Sequence, residues 1–281
     1  MTLPLSTLAE AAAAVLGTAD ARGKAAASRA AAARWRAGEI AEIGAAAAPE
    51  RPARPPRPEL KPPREMPQRR AAGTTATRIA LLHAVAHIEL NAIDLAWDIV
   101  ARFASPDLPR EFFDDWVRVG DDEAKHFLLL SDRLAALGAA YGDLPAHDGL
   151  WQAAHETRHD LLARLAIVPL VLEARGLDVT PAMIARFDRL GDAESAAALR
   201  VVYADEIGHV AAGRRWFEWL CARRAVPPVE TWRALVRQHF RGALKPPFNH
   251  DARAQAGFRA RIIPPFRRAG LRPARLSAST L

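Results

Sequence analysis

From about residue 75 onward, apolar residues recur every three or four positions over long stretches, the period of a helix with one face in a core. Alternating runs with the period of a strand are few, and Ala and Leu dominate over Val and Ile, so the pattern predicts an all-α chain. The first long helix is predicted over about 75–104, stopping at "SPDLP". The second begins near Pro109, a residue suited to an early helical position, and ends near Gly138, a good C-terminal cap. After the loop "GAAYGDLPAHDG", a third helix runs from about 149 to 175, kinked at Pro169, and a short helix follows from Pro181 to about 190. The fourth covers about 193–224 with Asp192 as its N-cap, and a further helix lies near 229–241. Four long helices of this kind suggest a bundle.

Ahead of the bundle the pattern changes. Residues 5–17 and 20–42 are Ala-rich and read as helices, while "PERPARPPRPELKPPREMP" at 49–67 is too dense in Pro and charge for either element and reads as extended polyproline II. The expected organisation is an N-terminal helical appendage over 1–48, a Pro-rich extended linker over 49–74, a four-helix bundle with extra helices over 75–241, and a basic irregular tail over 242–281.

Charge sharpens this division. The net charge of +7 divides into +5 for residues 1–74, −6 for 75–239 and +8 for 240–281. A uniformly basic nucleic-acid binder does not look like this, although basic arms can touch RNA, anionic lipid or an acidic partner. The single cysteine, Cys221, excludes an intrachain disulfide and fits a reducing compartment. The first residues lack early basic residues, and Glu10 interrupts the apolar stretch, so no secretory signal is expected. No uncharged apolar run of 18 or more residues is seen, so no membrane span is expected, and the chain reads as cytoplasmic.

The chemistry lies in a repeated spacing. "DDEAKH" places Glu123 and His126 three apart on the second helix, and "ADEIGH" places Glu206 and His209 three apart on the fourth. Positions i and i+3 share a helix face. Glu89 stands 34 residues before Glu123, and Glu173 stands 33 before Glu206. The midpoint between Glu89 and Glu123 is residue 106, inside the "SPDLP" break, so two helices folded back there bring both carboxylates to one level. The second half is less regular, because Gly176 and Pro181 interrupt its path.

Four carboxylates and two imidazoles at one level form the ligand set of the di-iron and di-manganese carboxylate bundles. Oxygen and nitrogen donors suit iron, or manganese, over soft metals. Two divalent cations balance four carboxylates that would otherwise repel one another in a core. The metal ligands expected are therefore Glu89, Glu123, His126, Glu173, Glu206 and His209. Each His needs a partner for its second nitrogen. Asp122 and Asp205, one residue before a ligand Glu, point roughly 100° away from it and can reach a neighbouring helix's His. Tyr203 lies three before Glu206, bordering the site or packed in the core.

One motif competes. "HETRH" at 155–159 matches the H-E-x-x-H zinc-protease pattern, with His155 and His159 as ligands and Glu156 as base, though no further His follows at metzincin spacing. His83 and His87 fall off the face of Glu89 and read as packing or capping residues, and Cys221 reads as packed near the end of the fourth helix.

The strings "LLHAVAHIELNAIDLAWD", "DDEAKHFLLLSDRLAALGAAYGDLPAHDGLW", "RLAIVPLVLEARGLDVTP", "YADEIGHVAAGRRWF" and "PPFNHDARAQAGF" give the chain a further identity over about residues 50–258. It resembles the ferritin-like family catalogued as domain of unknown function 455. The resemblance implies a ferritin-like four-helix bundle with a di-metal site at the same six residues; it implies no substrate. A more distant likeness, at the level of fold alone, is to the tRNA-modifying di-iron hydroxylase. The leading expectation is a di-iron oxidoreductase, an oxidase or hydroxylase. Its partners would be O2, a small-molecule or RNA substrate, and a reductase unless the substrate supplies the electrons. The alternatives are an iron-handling ferroxidase, an RNA-associated module with a structural metal, and the zinc protease.

Overall fold

The computed structural model describes residues 7–62, 65–66, 73–242 and 244–257. It is an all-α helical bundle; among the described residues there is no strand, only isolated bridges at Thr7–Glu42 and Leu60–Ala146.

The core is a hairpin of α3 (Thr75–Arg102) and α4 (Arg110–Ala136), the most extensively packed pair in the protein. Thr74 caps α3 by accepting from the Thr77 amide, and the chain turns back over residues 103–109. Gly138, at φ 78°, closes α4 where a side chain would be strained. By length and composition α3 is apolar enough to cross a membrane, the one such helix among the described residues. Of its most apolar window 72 % is buried inside the protein, so core packing accounts for that composition.

The other half of the bundle is α8 (Ala193–Arg223), packed on α4 and on a composite helical path of three pieces. These are α6 (Leu161–Ile167), a π-helical segment Val168–Glu173, and α7 (Ala174–Arg189). The expected third helix differs here in two ways. It is broken at residues 157–160, leaving a short α5 (Gly149–Glu156) on its own. It also continues through Gly176 and Pro181 with no gap, ending at Arg189. Pro169 supplies the reason for the irregularity between them. It has no N–H for the α-ladder, and the backbone absorbs the defect as a π-turn instead of a simple kink. The bulge is tightly seated: a Cβ on Gly213 of α8 would lie 2.2 Å from the Pro169 Cβ, so only glycine fits opposite it.

Two N-terminal helices cover the α3–α4 hairpin. α1 (Leu8–Gly17) lies on α3, and α2 (Ala21–Arg36) lies mainly on α4. A ten-residue helix is too short to be stable alone. Burial of Leu8, Val15 and Leu16, at about 1.5–3 kcal/mol each, supplies what local propensity lacks. Polar ties add specificity. Ser28 Oγ donates to the Gly120 carbonyl and accepts from Trp97 Nε1, joining α2, α3 and α4. The C-terminal side adds α9 (Pro228–His239) and α10 (His250–Gln255); residues 258–281, most of the segment read as a basic tail, lie outside the described residues.

Candidate metal centre

α3, α4, α8 and the π-helical segment each bring a carboxylate to the middle of the bundle. Glu89, Glu123, Glu173 and Glu206 are each no more than 9 % exposed, and His126 and His209 no more than 1 %. Ligand atoms of Glu89, Glu123, His126 and Glu206 all lie within 4.8 Å of one another, a group that can hold a metal ion. His126 Nδ1 is 3.2 Å from Glu89 Oε2 and 3.4 Å from Glu123 Oε2. His209 Nδ1 is 3.0 Å from the other oxygen of Glu123, Oε1, and 3.7 Å from Glu206 Oε2. Glu123 thus faces both imidazoles, one oxygen to each. Glu173 lies outside the tight group of four, and its carboxyl is pushed up by burial and by the charges of Glu206 and Glu123.

The far nitrogens of the two rings are held by crossed partners. Nε2 of His126, on α4, is 2.9 Å from Asp205 Oδ2 on α8. Nε2 of His209, on α8, is 3.4 Å from Asp122 Oδ2 on α4. A carboxylate only accepts, so each ring carries its proton on Nε2 and turns the Nδ1 lone pair inward. That lone pair points at carboxylate oxygens, an arrangement that needs a proton or a cation between them.

Sequence reasoning missed Lys125. Its Nζ lies 2.9 Å from Asp122 Oδ1 and 2.7 Å from Asp205 Oδ2, bridging the two carboxylates that hold the rings. Its three-residue spacing from Asp122 was the one local signal. The Tyr203 hydroxyl accepts from Asn249 Nδ2 at 2.9 Å.

The electrostatics describe a site short of positive charge. Burial, then the neighbouring Glu123 charge, push the carboxyls of Glu89 and Glu206 up. Burial pushes the Glu123 carboxyl up, but the two imidazoles that face it favour its charged form more strongly, so it is lowered. His126 and His209 are raised well above the usual imidazole range, since their carboxylate partners outweigh burial. Without metal, then, the folded protein holds protons that the unfolded chain releases between pH 5 and 8. Stability falls with pH wherever the folded state binds more protons. The three raised carboxyls and the two raised imidazoles act in the same direction, and the Glu123 contribution is constant above pH 5. Metal-free protein should therefore show a melting temperature that drops from pH 5.5 to pH 8, and added Fe(II) or Mn(II) should restore it at pH 8. A melting temperature that climbs with pH in metal-free protein is incompatible with this site.

The histidine partners give a second expectation. Asp205→Ala should weaken metal binding by about 10–100-fold with the ligands intact, the usual effect of removing such a partner. Competition with a chelating dye measures it; unchanged affinity would mean that Asp205 does not orient His126.

The other candidates are placed differently. Helix α5 ends at Glu156, so His155 and His159 do not share a helix face as H-E-x-x-H requires. His155 Nε2 instead lies 3.3 Å from Glu50, and His159 is exposed. His83 Nε2 accepts from the Gly142 amide at 2.9 Å, and His87 Nδ1 lies 2.9 Å from the Tyr141 hydroxyl, so both pin the loop after α4. Cys221 is buried, and burial pushes its thiol up to about 11.

Fold and site together define an all-α bundle with a buried Glu/His cluster that can hold metal. The chain belongs to the family described as "Protein of unknown function (DUF455)", whose model matches residues 17–263. The match takes in α2, which the motifs quoted above do not reach. A Haemophilus influenzae protein described as "Uncharacterized protein" is 41 % identical over 201 residues, covering 70 % of this chain and 69 % of its own length. No solved structure matches the chain.

Proposed function

We propose that this chain is a ferritin-like di-metal carboxylate protein that holds two iron ions and oxidises an organic substrate with O2. The observation that carries the reading is a convergence of unsatisfied donors. Glu123 Oε1, Glu173 Oε2, Glu206 Oε2 and His209 Nδ1 are all buried without a hydrogen-bond partner. The Glu123–His209 contact of 3.0 Å is short but not aligned as a hydrogen bond. Leaving each such group unpaired costs about 1–3 kcal/mol, and more where it is charged. Cations bound among them would remove that cost.

The donor set fits iron or manganese, because it is entirely carboxylate and imidazole. Glu89 and His126 would hold one ion, Glu173 and His209 the other, with Glu123 and Glu206 between them. Asp205 and Asp122, tied by Lys125, would keep both rings turned inward. Bound iron would supply open coordination positions and the electrons with which O2 is reduced. Burial by α3, α4, α8 and the π-segment excludes bulk water from the cluster, and a reductase or the substrate itself would restore the electrons.

Metal analysis tests this directly. Protein isolated in the presence of Fe(II) should carry two irons per chain and consume O2 faster than free Fe(II) does. Tight binding of zinc alone, with no iron uptake, would sink the proposal. Iron oxidation with stored ferric product and no organic turnover would instead establish the ferroxidase reading.

A further inference from the structure

A cavity of about 280 Å³ opens against α3, the π-segment and α7, close to the lower end of the ~300–1,000 Å³ typical of small-molecule sites. Its wall is built from residues adjacent in sequence to two of the proposed ligands. Ile88 precedes Glu89, Val171 and Leu172 precede Glu173, and Arg175 follows it. The π-segment that places Glu173 in the bundle is therefore also a wall of this cavity. Bulges of this kind are frequent at functional sites.

The opposite wall is the segment between α9 and α10, which contributes Phe240, Leu244, Lys245 and Phe248. It is pinned across α7. Arg175 Nη1 donates to the carbonyls of Lys245 and Pro247 at 2.7 and 3.0 Å, and the Asn249 amide donates to Asp178 Oδ1 at 2.9 Å.

The chemistry of the lining is lopsided. Most of it is aliphatic or aromatic, and Ile88 remains 41 % exposed although it is a large apolar residue. The charged groups are Arg175, Lys245 and Arg253 against Asp178 alone. Arg253 is consumed by a buried pair with Asp178 at 2.7 Å. Arg175 is partly engaged by the same carboxylate at 3.6 Å, and Lys245, exposed, has no ion-pair partner among the described residues.

We infer that this cavity binds the substrate of the metal centre, and that the substrate is an apolar molecule carrying one anionic group, a carboxylate or a phosphate. In calling the ligand a substrate, this rests on the di-metal reading above. The apolar body would lie on Ile88, Val171 and Leu172, against the π-segment, and the anionic group would meet Lys245 and Arg175 at the rim. A neutral or cationic molecule of the same shape lacks half of this recognition.

Calorimetry on the full chain tests the inference with octanoate, octyl phosphate, octanol and octylamine, the metal content of each sample being measured alongside. One of the two anions should bind at least tenfold more tightly than octanol, and whichever does fixes the head group; octylamine should bind more weakly than octanol. Lys245→Ala should erase the preference for the anion while leaving octanol binding unchanged. Ile88→Trp, at a half-exposed wall position that tolerates bulk, should block all four. Binding of none of the probes, octylamine binding as well as octanoate, or anion binding indifferent to both substitutions would each overturn the inference. Two irons per chain with no probe bound would overturn it while leaving the metal centre standing. Anion binding to a chain that takes up no iron would keep the cavity and remove the di-metal reading.

Discussion

On the di-iron reading proposed above, Glu123→Gln should empty the metal centre: bound iron should fall from two per chain to fewer than one, and O2 consumption should stop. No other described carboxylate faces both imidazoles, with Oε2 3.4 Å from His126 Nδ1 and Oε1 3.0 Å from His209 Nδ1. Removing an outer partner of a ligand costs about 10–100-fold in affinity, so loss of a carboxylate shared by two ions should exceed 100-fold. The same substitution should also act on metal-free protein, where two effects oppose each other. The Glu123 charge pushes Glu89, Glu173 and Glu206 up, so a neutral amide of the same shape relieves a repulsion shared by three groups. Against this, both imidazoles lose a partner that favours their charged form. The Glu123 carboxyl is itself held low by those imidazoles, so its charge contributes stability above the ordinary carboxylate range, and the amide forfeits it. The metal-free variant should then melt lower than metal-free wild type at pH 8, and added metal should no longer raise its melting temperature. Melting curves with and without Fe(II), beside metal analysis, separate this from a purely structural role. A variant that unfolds and cannot bind metal would show only that Glu123 is needed for the fold; one that retains two irons would refute the site.

How much of this was written in the sequence depends on how local each signal is. The α3–α4 hairpin was legible because helix period, capping residues and the "SPDLP" break all act within a few positions, and the expected 75–104 and 109–138 lie within two residues of the structure at each end. The level of Glu89 with Glu123 followed from the same break. The third helical path was not legible in the same way. Gly176 and Pro181 are helix breakers by propensity, yet α7 runs through both, because packing on α8 outweighs about 1 kcal/mol for an interior Gly and about 3 for a Pro. The π-segment was only half legible: Pro169 marks an irregularity, but its close seating against Gly213 on another helix is a tertiary contact that no local signal carries. Lys125 was overlooked because half of its role depends on Asp205, eighty residues away in the chain. The H-E-x-x-H match shows the converse. Five residues met the pattern, but the helix they required stops at the second of them.

The N-terminal arm makes the last expectation, and it concerns stability. Asp94→Ala should destabilise the protein by about 3–5 kcal/mol, the usual consequence of removing one partner from a buried ion pair. Asp94 lies fully buried on α3, about 7.5 Å along the helix from Glu89 at 1.5 Å per residue. Lys24 of α2, also fully buried, donates to one of its oxygens, and Arg54 Nε lies 2.7 Å from the other. Lys24 donates in addition to the Ala53 carbonyl at 2.8 Å, and Arg54 to Asn91 Oδ1 at 2.8 Å. A single carboxylate thus fastens α2 and the Pro-rich segment to the helix that carries Glu89. Burial nevertheless dominates the balance at both ends: it pushes the Lys24 ammonium down and the Asp94 carboxyl up in spite of their attraction. The pair therefore specifies where the arm docks more than it adds net stability, and it is costly chiefly when half of it is removed. Two outcomes follow for urea unfolding. Asp94→Ala and Lys24→Ala should each lower the midpoint strongly and open residues 37–62 to proteolysis. The double replacement Lys24→Met with Asp94→Leu should recover part of the loss, because it removes the buried ammonium together with its carboxylate, while Arg54 loses its ion pair and keeps only its bond to Asn91. If the double variant is as unstable as the sum of its parts, the two side chains act independently, and the arm is held by its apolar contacts alone.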